Sequence, residues 1–131
     1  MNDQIKYWIE LAEYDLITAE VMLSGGRYLY VGFMCHQVIE KSFKALYVAN
    51  NNEAPPYTHS LIDIARRGQF YSEMDEPNKD FVDLLQPLNI QARYPTYKAE
   101  LMKSLDKEKC EMILNKTRVL FEWIKVKLSK K

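Results

Sequence analysis

Residues 27–49, RYLYVGFMCHQVIEKSFKALYVA, decide the fold class of this chain. Apolar side chains recur in this stretch at every third or fourth position, the spacing that a helix turns into one continuous face. These side chains are Tyr30, Phe33, Met34, Val38, Phe43, Ala45, Leu46 and Val48. The spacing predicts a long helix over about 27–49, which ends at the three asparagines that follow it.

The same spacing predicts a long helix on either side of this stretch. The first covers 3–23 and ends at Gly25 and Gly26, because a glycine after the last apolar position can adopt the left-handed conformation that closes a helix. Two long helices joined by so short a turn pack antiparallel. Near the other end of the chain, Ser104 or Asp106 is predicted to cap a last long helix with an apolar face from 110 to 128.

The middle of the chain is predicted to hold two shorter helices. A loop at the Pro55-Pro56 pair precedes Thr58, which is the predicted N-cap of a helix over 59–67. A further loop over 69–76 leads to a predicted fourth helix, whose start, kink and end we expect at three prolines. The first residue of that helix is Pro77, its kink lies at Pro87 and its end lies at Pro95.

No stretch alternates apolar and polar residues as a half-buried strand would. We therefore predict an all-α fold, an up-and-down bundle of four to five helices, in a single domain over 1–131.

Only Cys35 and Cys110 are present, too few for the disulfide framework of a small secreted domain. Because no window is long and apolar enough for a membrane span, we expect a soluble cytoplasmic protein with no membrane contact.

The charge balance and the missing motifs exclude several functions. The chain has 18 Lys and Arg against 18 Asp and Glu, so it has no overall basic field of the kind that marks a dedicated nucleic-acid binder. A local basic segment lies at 103–131. Such a segment is typical of the solvent-exposed face of an amphipathic helix, or of a surface that binds RNA or an acidic partner. There is no Gly-rich phosphate loop, nucleophile elbow or zinc motif, and we predict no metal or cofactor.

A polar ridge follows one side of the predicted second helix. His36, Glu40 and Lys44 are spaced four residues apart, and Gln37 and Lys41 lie on the neighbouring ridge. One interpretation is a weak ion pair from Glu40 to Lys44 on a solvated face. The other is a polar cluster that lies partly in a groove and binds a ligand, because His36 and Gln37 stand among large apolar residues.

A second group of candidates is in the segment QARYPTYK, residues 91–98. Arg93, expected at a helix end, suits an anion or a carboxylate from another helix, and Lys98 adds a second cation. Tyr94 and Tyr97 offer flat faces and hydroxyl groups for a base or a phosphate, although both could simply pack. His59, expected in the first turn of its helix, is assigned a packing role.

Taken together, these segments resemble the HEPN domain family in order and approximate spacing. The matching residues are Trp8 with Ala12, Asp15, Leu16 and Ala19, then His36-Gln37-x-x-Glu40-Lys41-x-x-Lys44-Ala45-Leu46, Thr58-His59-Ser60-Leu61 and Ala92-Arg93-Tyr94-Pro95. The resemblance implies a helical bundle, a homodimer and a role in binding nucleotides. It also implies a separately encoded minimal nucleotidyltransferase as partner, in a toxin–antitoxin arrangement.

Many members of that family are metal-independent endoribonucleases that carry an arginine followed after four to six residues by a histidine. Here Arg93 matches the arginine, but Lys98, Ala99 and Glu100 occupy the positions where the histidine would stand. Loss of a general acid or base typically costs about 10² to 10⁴ in rate. No catalytic residue is therefore assigned, and the alternative is an endoribonuclease that uses Arg93 with His36 or a tyrosine.

The resulting hypothesis is a helical binding module without efficient catalysis. Arg93, Lys98 and Lys44 would contact phosphate, and Tyr94 and Tyr97 would position a base or an adjoining helix. Nucleotide and RNA both remain open as ligands. The hypothesis requires that the polar ridge and Arg93 meet in one accessible hollow.

Overall fold

The structure is a computed structural model, and it describes residues 2–91 and 94–131, except for the side chains of residues 90, 91, 95 and 96. The described residues form helices and no strand, which confirms the predicted all-α class. The helices are α1 Asp3–Ser24, α2 Tyr28–Asn51, α3 Leu61–Arg67, α4 Glu76–Leu85, α5 Leu88–Gln91, α6 Pro95–Ser104 and α7 Lys107–Ser129, with a 3₁₀ turn at Tyr71–Glu73. None of the helices within the described ranges has both the length and the apolar character to cross a bilayer.

The central element of the bundle is α2. Its 24 residues include 15 that are buried, and it packs against every other α-helix among the described residues. Such burial on several sides explains why its apolar positions spread beyond one stripe. One close approach is at Gly32, where a Cβ atom would lie 2.9 Å from Leu88 Cδ1, so glycine lets α5 reach the backbone of α2.

The first two helices are antiparallel, as predicted. Lys41 on α2 bonds to Asp15 on α1, and Lys44 lies over the ring of Trp8, nearer the start of α1. The turn between them depends on Gly26, whose φ of 71° is the left-handed conformation that glycine adopts without strain. The last helix, α7, runs parallel to α2. The starts of the two helices lie together, where the Cys110 thiol of α7 donates to the Tyr28 carbonyl of α2, 3.5 Å away.

Two helix starts follow the expected cap chemistry. The Asp106 side chain accepts a hydrogen bond of 2.8 Å from the Lys109 amide and begins α7, which decides between the two caps that the sequence left open. The Asp75 side chain does the same for α4 with the Asn78 amide, at 2.9 Å. As a result α4 starts at Glu76, and Pro77 is its second residue instead of its first.

Several predictions for the middle of the chain were wrong. Ser60 caps α3, because its hydroxyl accepts from the Asp63 amide at 3.2 Å, whereas Thr58 accepts from the Ser60 amide in the preceding loop. Pro87 does not kink a helix, because α4 ends before it and α5 begins after it. Pro95 begins α6 instead of ending a helix, which suits a residue with a fixed φ and no amide hydrogen.

Candidate functional site

A buried carboxylate, Glu40, is the centre of the first group of polar side chains. Glu40 is 4% exposed, and its Oε2 accepts a hydrogen bond from Lys44 Nζ at 3.1 Å. Its Oε1 lies 2.9 Å from His59 Nδ1 and 3.8 Å from His36 Nδ1. We call these four residues the Glu40 cluster. The predicted ion pair of Glu40 with Lys44 therefore forms, but inside the protein and not on a solvated face.

Three elements position the Glu40 cluster. The spacing of four residues places His36, Glu40 and Lys44 on one side of α2, and the Lys44 ammonium lies 5.4 Å from the centre of the Trp8 ring of α1. His59 comes from the loop before α3, where Gln86 Nε2 donates to its carbonyl at 3.0 Å. The ring of His59 is 57% exposed, so it is the part of the cluster that meets solvent.

His59 is the member of the cluster that the sequence analysis did not place. It precedes the cap residue Ser60 and does not lie in the first turn of a helix, as had been expected. Its contact with Glu40 joins residues 19 positions apart, which no helical spacing can indicate. The available signal was the motif Thr58-His59-Ser60-Leu61, which does not by itself indicate a contact with Glu40.

The other two members of the polar ridge bind different neighbours. Lys41 pairs with Asp15 of α1, and Gln37 Nε2 donates to Asn89 Oδ1 of α5 at 3.2 Å. Both contacts hold a helix against α2. The five ridge residues therefore do not form one binding surface.

A separate cavity lies where the turn between α1 and α2 meets α6. It measures about 250 Å³ and is lined by Gly26, Arg27, Tyr28, Leu29, Tyr30, Lys98, Met102 and Leu105. Two of these residues are cations, two are tyrosines and none is acidic. The Lys98 ammonium lies 5.8 Å from the centre of the Tyr30 ring. We call this the α2 N-terminal cavity. Of its residues, Lys98 was predicted from the sequence as a ligand contact, whereas Arg27, Tyr28 and Tyr30 were not.

Two other candidates of segment 91–98, Tyr94 and Tyr97, are not among the residues that line this cavity. Tyr94 and Tyr97 are exposed, and Tyr97 borders a neighbouring depression with Glu100, Leu101 and Ser104. Arg93 lies outside the described residues. The role proposed for Arg93 stays a prediction.

The described candidates form two sites instead of one hollow. Lys98 lies beside Tyr30, whereas Lys44 lies 14 positions further along α2, which corresponds to about 21 Å of helix at 1.5 Å per residue. Among the described residues, Lys44 and Lys98 therefore do not share a site. The Glu40 cluster is internally paired and buried except for the His59 ring, whereas the α2 N-terminal cavity is open and cationic.

Both cysteine thiols are held in their protonated form. Burial raises the pKa of the Cys35 thiol to about 12 and that of Cys110 to about 11, so both stay protonated at neutral pH. Among the residues that the structure describes, no group of three His, Cys, Asp or Glu side chains is arranged to hold a metal ion.

The geometry defines a class of protein: an all-α bundle with a buried carboxylate cluster and a small cationic cavity. The family model of the HEPN domain matches residues 5–127, and the chain belongs to the HEPN domain family. No curated protein matches it.

Two solved structures share this fold. TT1696 from Thermus thermophilus is 21% identical, with a TM-score of 0.83 over 96% of this chain and 99% of that one. ST0689, an archaeal HEPN homologue, is also 21% identical, with a TM-score of 0.68 over 96% of this chain and 98% of that one.

Proposed function

We propose that this chain is a HEPN-type binding module that holds a nucleotide in the α2 N-terminal cavity and has no efficient catalysis of its own. The observation that carries the proposal is the lining of that cavity. Arg27 and Lys98 supply positive charge for a phosphate, and no acidic side chain among the lining residues competes for them. Tyr28 and Tyr30 supply aromatic rings on which a base can stack.

The size of the cavity favours a mononucleotide. At about 250 Å³ it lies just below the range of roughly 300 to 1,000 Å³ that is typical of small-molecule sites. A strand of RNA would need a longer track of cations and stacking rings. The ligand class that fits best is therefore a single nucleotide with its phosphates.

The alternative of an endoribonuclease that uses His36 has little support from the geometry. A general acid or base must come within hydrogen-bond reach of the reacting group. The side chain of His36 is fully buried beside Glu40, so RNA could not reach it without opening the bundle. We infer that His36 has a structural role in the Glu40 cluster.

The wider role proposed here rests on membership of the family. We propose that residues 1–131 act as one cytoplasmic module, form a homodimer and bind a minimal nucleotidyltransferase encoded separately, as in a toxin–antitoxin pair. Of the residues assigned earlier to the ligand, Lys98 lines the cavity, and we propose that Arg93, Tyr94 and Tyr97, which precede it closely in the sequence, extend the site. An adjacent nucleotidyltransferase reading frame would support the partner.

Calorimetric titration with ATP and AMP tests the nucleotide site. We expect Lys98→Met and Arg27→Met each to weaken binding about tenfold or more, because each removes a charge that faces phosphate. Lys103→Met is the matched control, since Lys103 is an exposed lysine of α6 that does not line the cavity. Binding should also weaken as salt increases.

Two results would contradict the proposal. The first is the absence of heat and of a thermal shift up to millimolar nucleotide. The second is cleavage of radiolabelled RNA in EDTA that disappears in Arg93→Ala, which would identify the protein as a ribonuclease.

A further inference from the structure

A further cavity lies between α4 and α7, away from the proposed nucleotide site. Both helices pack on α2, and the gap that they leave between them measures about 210 Å³. Its lining residues are Pro77, Asn78 and Phe81 of α4 with Lys116 and Val119 of α7. We call this gap the α4–α7 cavity. It shares no lining residue with the α2 N-terminal cavity, so the two sites can be tested separately.

The feature that points to a ligand is the side chain of Asn78. The residue is only 9% exposed, and its backbone amide donates to the Asp75 side chain at the start of α4. Its side-chain amide, however, makes no hydrogen bond to any residue that the structure describes. Buried amides in proteins are nearly always hydrogen-bonded, because an unpaired amide loses its bonds to water without replacement. In the wall of a cavity, such an amide is available to a molecule that enters.

A single cation lines the same cavity. Lys116 is exposed, and within the described ranges its ammonium forms no ion pair, whereas Lys125 and Lys127 of the same helix pair with glutamates. No lining residue is acidic, and the exposed Asp80 and Asp83 of α4 do not line the cavity. The charge of the lining therefore favours a ligand with one negative charge.

The rest of the wall is apolar. Phe81 is buried, whereas Val119 is 64% exposed and Pro77 is exposed at the start of α4. A volume of 210 Å³ corresponds to about seven water molecules of about 30 Å³ each, which is room for one compact group such as a phenyl ring or a short alkyl chain. The several charges of a nucleotide would exceed what one lysine balances.

We propose that the α4–α7 cavity binds a small monocarboxylate with a compact apolar body. One carboxylate oxygen accepts from the Lys116 ammonium and the other accepts from the Asn78 side-chain amide, while the apolar body lies against Phe81 and Val119. The proposal rests on three features in one place: an unpaired buried amide, an unpaired cation and an apolar wall. It does not depend on the nucleotide site.

Two-dimensional NMR of the ¹⁵N-labelled chain, with phenylacetate as the probe, tests the site. We expect shifts of the Asn78 side-chain amide and of backbone amides in 77–81 and 116–119, with a dissociation constant of a few millimolar or less. Phenylacetamide has the same shape without the charge, and acetate has the charge without the apolar body. Each should bind at least about tenfold more weakly than phenylacetate. The cation 2-phenylethylammonium should bind no better than phenylacetamide.

Two substitutions separate ligand binding from a structural role. Lys116→Met and Asn78→Leu should each weaken phenylacetate binding at least about tenfold. Lys107→Met is the matched control, because it removes an exposed lysine of α7 that does not line the cavity, and its binding should be unchanged. Since the Asn78 side chain bonds to no described residue, Asn78→Leu should keep the wild-type melting temperature or exceed it.

Three results would overturn the proposal. The first is the absence of shifts around the cavity up to tens of millimolar phenylacetate. The second is equal binding of phenylacetate and phenylacetamide, or of the wild-type chain and Lys116→Met, since either would show a nonspecific apolar surface. The third is a marked fall in the melting temperature of Asn78→Leu, which would show that the amide has a structural partner. Calorimetry with ATP decides the nucleotide site independently of all three.

Discussion

Replacing the buried carboxylate by its amide, Glu40→Gln, is the sharpest test of how the Glu40 cluster contributes to stability. The substitution keeps the shape of the side chain and removes its charge. Lys44, which is buried and 3.1 Å from Glu40 Oε2, then loses its anionic partner. The amide keeps one oxygen, which can face Lys44 or His59, whose Nδ1 lies 2.9 Å from Oε1 in the native protein, but not both. A buried cation without a partner is costly.

The expected loss of stability in Glu40→Gln follows from the burial of the ion pair between Glu40 and Lys44. Removing one partner of a fully buried ion pair costs about 3 to 5 kcal/mol. Here the Lys44 side chain is 11% exposed and keeps its position over the Trp8 ring, a contact worth about 1 kcal/mol, so we expect a loss of about 2 to 3 kcal/mol. For a chain of this length that corresponds to roughly 6 to 12 °C in the melting temperature.

Urea denaturation at pH 7, followed by circular dichroism, measures the loss. Glu76→Gln is the control, because the Glu76 side chain is 82% exposed and forms a surface ion pair with Lys79 at 3.7 Å. The free energy of unfolding of this variant should stay within about 0.5 kcal/mol of the wild-type value. The double variant Glu40→Met with Lys44→Met should be more stable than Glu40→Gln, since it leaves no unpaired charge inside. A Glu40→Gln protein as stable as the wild type would refute this reasoning.

Three further substitutions or treatments have expected outcomes. Gly32→Ala should destabilise the protein by about 1 to 3 kcal/mol in urea, because the new methyl group would lie 2.9 Å from Leu88 Cδ1; an unchanged midpoint would mean that α5 moves freely. Asp106→Ala should cost about 1 kcal/mol through the lost bond to the Lys109 amide, whereas Asp106→Asn should keep most of it. Burial raises the pKa of Cys35 from 9.0 to about 12, so its native thiol should react with Ellman's reagent at pH 8 only after unfolding, and its contribution to stability, complete below about pH 9, should decline as the pH rises toward 12.

The long helices could be predicted because their signals are local. Apolar spacing fixed α1, α2 and α7 to within about two residues, and Asp106 was among the expected caps. The errors arose where one residue type has two possible roles. Thr58 and Ser60 are both good caps two positions apart, and Pro95 can follow a helix or begin one.

The candidate site was harder to predict because its contacts are not local. The pairing of Glu40 with Lys44 is visible in the sequence, but its burial depends on how α1 and the loop before α3 close over it. The contact of Lys98 with the start of α2 joins distant parts of the chain, and Arg27 had no motif to mark it. Some members of the cluster and of the cavity could therefore be named from the sequence, whereas their grouping in space could not.

The central position of α2 has a consequence for how the molecule opens. Its peptide groups are covered by neighbours on several sides, so their hydrogens can exchange with deuterated solvent only when those neighbours detach. The slowest amides of the chain should therefore lie between about 35 and 48, and their rates should report the complete loss of structure. The amides at the ends of α1 and α7, by contrast, can exchange early through local fraying that leaves α2 intact.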